Sequence, residues 1–142
     1  MPLQPEFFTM ADHAPHVLDV GQCDYDHGNL TRLLVDQFGA KVDRAKKLDE
    51  AVKAATGGRY DLILVNRIFD ADGAEGLDFI RKIKAEPAVK DVPVMIISNY
   101  VEAQASAVKL GAMPGFGKGA LDSPQTVALL AEALGTKAQG RL

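Results

Sequence analysis

Short aliphatic runs alternate with amphipathic stretches along this chain, and the two kinds of segment have different periods. Leu62-Ile63-Leu64-Val65 and Val92-Pro93-Val94-Met95-Ile96-Ile97 are continuous apolar segments of strand length, as expected for strands buried on both faces. Between such runs apolar residues recur at helical spacing: Leu30, Leu33, Leu34 and Phe38, then Leu77, Ile80 and Ile83, then Val127, Leu130 and Leu134. Strand and helix in this alternation is the pattern of βαβ units, in which helices cover both faces of a parallel sheet.

Punctuation residues set the boundaries. A first helix is predicted over 29–38, stopped by Gly39, after a first strand Val17-Leu18-Asp19-Val20 that its charge makes the weakest of the core. Residues 40–45, with Val42 between charged neighbours, read as an edge strand. Residues 48–55 form a small-residue helix ended by Gly57-Gly58. The helix from Leu77 must close before Pro87, because proline disfavours helical geometry in its predecessor. Val101 to Leu110 is an alanine-rich helix stopped by Gly111, and Ala112 to Gly117 is a short glycine-rich strand. Ser123 as N-cap and Pro124 at the first helical position open the last helix, which Gly135 ends. One domain over 15–135 is expected, with an N-terminal extension (1–14) and a frayed tail (136–142), no internal repeat and no second domain.

Composition narrows the class of function. A formal net charge of -3 gives no reason to expect nucleic acid as a partner, and Arg81-Lys82-Ile83-Lys84 reads as a solvated helix face. Cys23 is the single cysteine, so no internal disulfide is possible and a reducing, cytoplasmic home is expected. No apolar run approaches the ~20 residues of a membrane span, and the first residues lack the layout of a signal peptide. No nucleophile elbow, phosphate-binding loop or dinucleotide fingerprint is present, and no enzyme activity is expected.

In an open parallel sheet, ligands sit beyond the carboxyl ends of the strands, near the point where strand order reverses. Four segments should meet there: Gly21 to Asp26, Asn66 to Gly76, Ser98-Asn99-Tyr100 and Gly117-Lys118-Gly119. Asn66 is the residue of greatest consequence among them, because it is the polar group that ends a buried strand.

The order and spacing of Asp61-Leu62-Ile63-Leu64-Val65, Gly76-Leu77-Asp78-Phe79-Ile80-Arg81, Val92-Pro93-Val94-Met95-Ile96-Ile97-Ser98, and Gly111-Ala112 ahead of Lys118 resemble the receiver domain of bacterial response regulators, from about His16 to Leu134. The resemblance implies an α/β, doubly wound, five-stranded parallel sheet of flavodoxin-like type with strand order 2-1-3-4-5. It also implies a phosphoryl-accepting aspartate at the end of the third strand, Mg²⁺ held by that aspartate and an acidic pair after the first strand, and a hydroxyl residue and a lysine that read the phosphate. Ser98 and Lys118 match the last two. Asn66 falls on the acceptor, and the acidic pair falls on Gly21-Gln22 or Gln22-Cys23, with Asp24 the nearest carboxylate.

These departures decide the expected chemistry. An amide nitrogen whose lone pair is delocalised does not attack phosphorus. At ~4 Å and an effective dielectric of ~20 each lost carboxylate removes about 4 kcal/mol per unit charge, the whole free energy of a millimolar metal site. Mg²⁺ binding is therefore expected to be weak or absent unless Asp24, Asp26, Asp70 or Asp72 supplies oxygen. Gly119 follows Lys118 where the family has proline. The aromatic switch position falls on Gly115, beside Phe116.

Each remaining residue has a structural reading. Lys118 is expected to bond the Asn66 carbonyl or a loop carbonyl, Ser98 to cap the following helix, and Asp70-Ala71-Asp72-Gly73 to form a turn on side-chain to backbone bonds. Asp24-Tyr25-Asp26-His27 is a loop cluster with metal-ligand side chains but no second ligand group. Cys23 is either buried or a redox sensor beside Lys118. The expected function is a phosphorylation-independent signalling module that binds a protein partner, and that could form a homodimer, through the fourth helix, fifth strand and last helix. Met113, Pro114, Phe116 and Ala103 to Ala107 would supply apolar contacts there. The alternative is a metal or small-ligand sensor using Asp24, Asp26, Asn66, Ser98 and Lys118.

Overall fold

The three interior strands of the sheet send alternate side chains into two different helical layers. The computed structural model describes residues 14–136, so the proposed extension and tail lie almost wholly outside the described residues. The strands are β1 (His16–Val20), β2 (Lys41–Ala45), β3 (Leu62–Asn66), β4 (Val94–Ile97) and β5 (Met113–Phe116). They pair in parallel in the order β2-β1-β3-β4-β5. The helices are α1 (Asp24–Phe38), α2 (Leu48–Gly57), α3 (Gly76–Lys84), α4 (Val101–Lys109) and α5 (Pro124–Leu134), with a 3₁₀ turn at Lys118–Ala120. This is the doubly wound five-stranded sheet expected from the sequence.

Alternation explains the two layers. Leu18, Val20, Ile63, Val65, Val94 and Ile96 pack with residues of α2, α3 and α4, while Val17, Leu62, Leu64, Met95 and Ile97 pack with α1 and α5. All of these side chains are buried, so β1, β3 and β4 carry hydrophobic residues on both faces, the pattern of interior parallel strands. Ser123 accepts the Thr126 N–H and Gly135 adopts the left-handed conformation, so α5 begins and ends where its punctuation places it.

Two expectations need correction. β1 is not a weak strand: it lies between β2 and β3, and Asp19 is fully buried with its carboxyl Oδ2 2.7 Å from His27 Nδ1. The helix predicted from Asn29 begins at Asp24. Cys23 is its N-cap, with Sγ accepting the Asp26 N–H at 3.5 Å, and Asp24 and Asp26 lie in the first turn, where the helix dipole favours acids. The hydrophobic spacing marked only the part of α1 that touches the core.

Candidate functional site

Gly21 is where the ends of β1 and β3 are tied together. Asn66 closes β3 with 7% of its surface exposed, and its carboxamide Nδ2 donates to the Gly21 carbonyl at 3.0 Å. The Asp70 N–H donates to the same carbonyl at 3.0 Å, and the Gly21 N–H reaches the Ala45 carbonyl at 2.8 Å. Gly21 has φ +79°, and a Cβ added there would stand 2.5 Å from Cδ1 of Phe69. Glycine is required at this position both by backbone conformation and by space.

The Phe69 ring fills the space above Gly21. It is 1% exposed and lies 6.2 Å from the Phe79 ring, centroid to centroid. The loop that delivers it is a small closed unit: Ile68 bridges Glu75, and the Phe69 N–H donates to the Ala74 carbonyl at 2.7 Å. Asp72 supplies the expected side-chain turn by accepting the Ala74 N–H at 3.0 Å. Its other oxygen accepts the Leu48 N–H at 3.1 Å and so caps α2. Those two backbone bonds, Leu48 first, hold the Asp72 carboxyl below the usual carboxylate range.

The cleft beyond the strand ends has a volume of about 470 Å³ and is bordered by Cys23, Asn66, Arg67, Ser98, Tyr100 and Lys118. Of the acids and pocket residues singled out from the sequence, Gln22, Asp24, Asp26 and Asp72 do not line it, whereas Asp70 does. Gln22 is buried beside Asp19, whose carboxyl burial pushes up while His27 pulls it back down. Asp24 is exposed and bound to Arg44 at 2.7 Å, an arrangement that lowers its carboxyl through the Arg44 hydrogen bond foremost. The Lys118 ammonium lies 2.9 Å from Asp26 rather than on the Asn66 carbonyl, because α1 starts early enough to bring Asp26 within reach. Ser98 Oγ accepts the Tyr100 N–H at 3.1 Å, and Tyr100, not Ser98, is the N-cap residue of α4.

Gln104 was not anticipated, and it joins three elements. From α4 its Nε2 donates to the carbonyls of Ile96 at 2.9 Å and Ser98 at 3.1 Å, and its Oε1 accepts the Gly115 N–H at 2.9 Å. A Cβ at Gly115 would collide with the Ile96 carbonyl oxygen, so β5 has no room for a side chain there. A glutamine among the small buried-side residues Ala103 and Ala107 was the available signal. Phe116 is 6% exposed and packs in the core, and Met113 is partly buried against it. The large apolar side chains that α4 and its entry expose are instead Tyr100, Val101 and Val108.

Comparison with known proteins gives a consistent fold. No protein-family model matches the chain, and no curated protein sequence matches it. Solved structures do. A putative response regulator from Chloroflexus aurantiacus superimposes with a TM-score of 0.78 at 18% identity, covering 87% of this chain and 99% of that one. The receiver domain of the sensor histidine kinase PA1611 from Pseudomonas aeruginosa, which holds a magnesium ion in its active-site cleft, gives 0.69 at 19% identity over 87% and 100%. NtrX from Brucella abortus gives 0.71 at 22% identity, where 87% of this chain spans 27% of NtrX. The architecture is that of receiver domains.

Proposed function

We propose that this chain is a receiver-type module of two-component signalling that works without accepting a phosphoryl group and acts by binding a protein partner. The observation that carries the reading is the amide at the acceptor position. Asn66 has no carboxylate to form an acyl phosphate, and its Nδ2 is committed to the Gly21 carbonyl.

The metal that accompanies the fold elsewhere does not fit here. Where the resemblance places an acidic pair, this chain has Gly21, Gln22 and Cys23, and the Phe69 ring covers Gly21. Asp24 and Asp26 are turned to Arg44 and Lys118. A divalent cation beside Asn66 would meet an amide, a thiol and an aromatic ring, with Asp70 the one carboxylate lining the cleft among the described residues, in place of the cluster of carboxylates that the resemblance implies. Incubation of the full chain with acetyl phosphate and Mg²⁺ should leave the intact mass unchanged; a phosphoryl adduct would overturn the reading.

The open cleft favours a second reading, a small-ligand sensor at Asn66, Ser98 and Lys118. Thermal-shift measurements with divalent ions, inorganic phosphate and nucleotides separate the two. Saturating ligand at about a hundredfold excess over its dissociation constant adds about 2.7 kcal/mol, a clear rise in melting temperature.

A further inference from the structure

We propose that the groove between α3 and α4 docks a partner segment in which a bulky apolar residue stands between lysines or arginines. This inference rests on the reading of the chain as a protein-binding module, and it locates that activity on the side of α4 that faces α3, where Ala103 lies, rather than on β5 and α5.

The groove has a volume of about 460 Å³, with Ile68, Leu77, Tyr100 and Ala103 as its apolar lining. Two exposed large apolar residues line it: Ile68 is 38% exposed and Tyr100 57%. Scattered single residues of this kind are ordinary on a protein surface, but these two share one groove with the apolar side chains of Leu77 and Ala103.

Both walls are fixed before any partner arrives. The bridge to Glu75 holds Ile68, the Arg67 guanidinium lies 4.6 Å from the centroid of the Tyr100 ring, and Gln104 fastens α4 to β4 and β5. A preformed groove loses little entropy on binding, which favours a short peptide.

Charge selects the occupant. Glu75 and Glu102 are exposed on the two rims, and among the described residues neither carboxylate takes a hydrogen bond or an ion pair. The cation at the groove, Arg67, is turned onto Tyr100. Two free acids flanking an apolar floor complement a segment with cationic residues on either side of an apolar anchor, and repel an acidic one.

The test is selection of random short peptides displayed against the full chain, followed by binding and amide NMR mapping with a synthesised winner. The expected winners carry a Leu, Ile, Phe or Trp flanked by Lys or Arg, and shift the resonances of Ile68, Glu75, Leu77, Tyr100 and Glu102. The double variant Glu75→Gln/Glu102→Gln should bind roughly tenfold more weakly, as two exposed charge pairs are worth. Raised salt should weaken the unaltered protein more than the variant. Tyr100→Ala should bind more weakly with an unchanged melting temperature. Winners lacking basic residues, no enrichment at all, or shifts confined to β5 and α5 would each overturn the groove. The last of these leaves the partner-binding reading intact, whereas a phosphoryl adduct in the acetyl phosphate experiment removes the reading beneath it.

Discussion

The Asn66 carboxamide donates to the Gly21 carbonyl at 3.0 Å, so the polar group that ends β3 is a hydrogen-bond donor that helps hold β1 to β3. A carboxylate of the same shape has no proton to give and would set a negative oxygen against that carbonyl. Asn66→Asp should therefore lower stability by about 1–3 kcal/mol, the cost of an unmatched buried polar group. Equilibrium denaturation measures this. On the proposed reading the variant should also remain unphosphorylated by acetyl phosphate, because Gly21, Gln22 and Cys23 still supply no carboxylate after β1 to hold a divalent cation. An Asn66→Asp protein as stable as the parent would show that the bond carries no weight.

Gly21 and Phe69 should behave as a coupled pair. At φ +79° any other residue is strained, and a methyl group at 21 meets the Phe69 ring at 2.5 Å. Gly21→Ala is expected to be destabilising, and Phe69→Ala should cost about 3–5 kcal/mol for the cavity left by a buried ring. In the double variant the methyl occupies space that the ring vacated. The two losses should then sum to more than the measured total by roughly 1 kcal/mol or more. Strict additivity in a double-mutant cycle would argue that the ring can move aside without cost.

The strands, helices and crevice were legible in the sequence because they follow from hydrophobic period and from glycine and proline punctuation, whereas the strand order was implied by the resemblance to receiver domains. The start of α1 was not, since Cys23 caps weakly and the first turn, Asp24-Tyr25-Asp26-His27, carries no aliphatic residue and so leaves no periodic signal. Asp19 looked like an interruption of β1 because its partner His27 comes from a helix turn that had been read as loop. The identity of Asn66 was plain, but its bond to Gly21 and the ring over Gly21 depend on how the loop from Arg67 to Glu75 closes. Lys118 found Asp26 for the same reason: the partner of a long side chain is set by three-dimensional approach, which local pattern does not encode.

Gln104 should be the most costly polar residue of α4 to remove. Its amide serves the carbonyls of Ile96 and Ser98 and the N–H of Gly115 at once, and no side chain can enter from β5 to replace it. Gln104→Ala leaves these backbone groups unpaired in a partly buried seam, so a loss of about 2–3 kcal/mol is expected. Hydrogen exchange at the Gly115 amide should quicken more than exchange in β1 or β3. Unchanged exchange at Gly115 would mean that water takes over the bond freely.

The beginning of the sheet predicts the pH behaviour at both extremes. Asp43 Oδ2 accepts the Tyr60 hydroxyl at 2.8 Å and lies 2.8 Å from His16 Nε2. The Tyr60 bond, and then His16, hold the Asp43 carboxyl below its ordinary value of 3.8, although burial opposes them. Burial first, and then Asp43, push the Tyr60 phenol up to about 12 from 10.0. For the acid, the unfolded chain binds the proton more readily than the folded one. Its stabilisation is present above pH 3.8 and is lost as pH falls through the depressed folded value. For the phenol, the folded state keeps the proton longer. That stabilisation is complete below pH 10 and disappears as pH rises toward about 12. Asp43→Asn should flatten the acid limb of the stability profile and move the Tyr60 ionisation, followed by phenolate absorbance, downward toward its ordinary value. A phenolate midpoint unmoved by Asp43→Asn would assign the shift to burial alone.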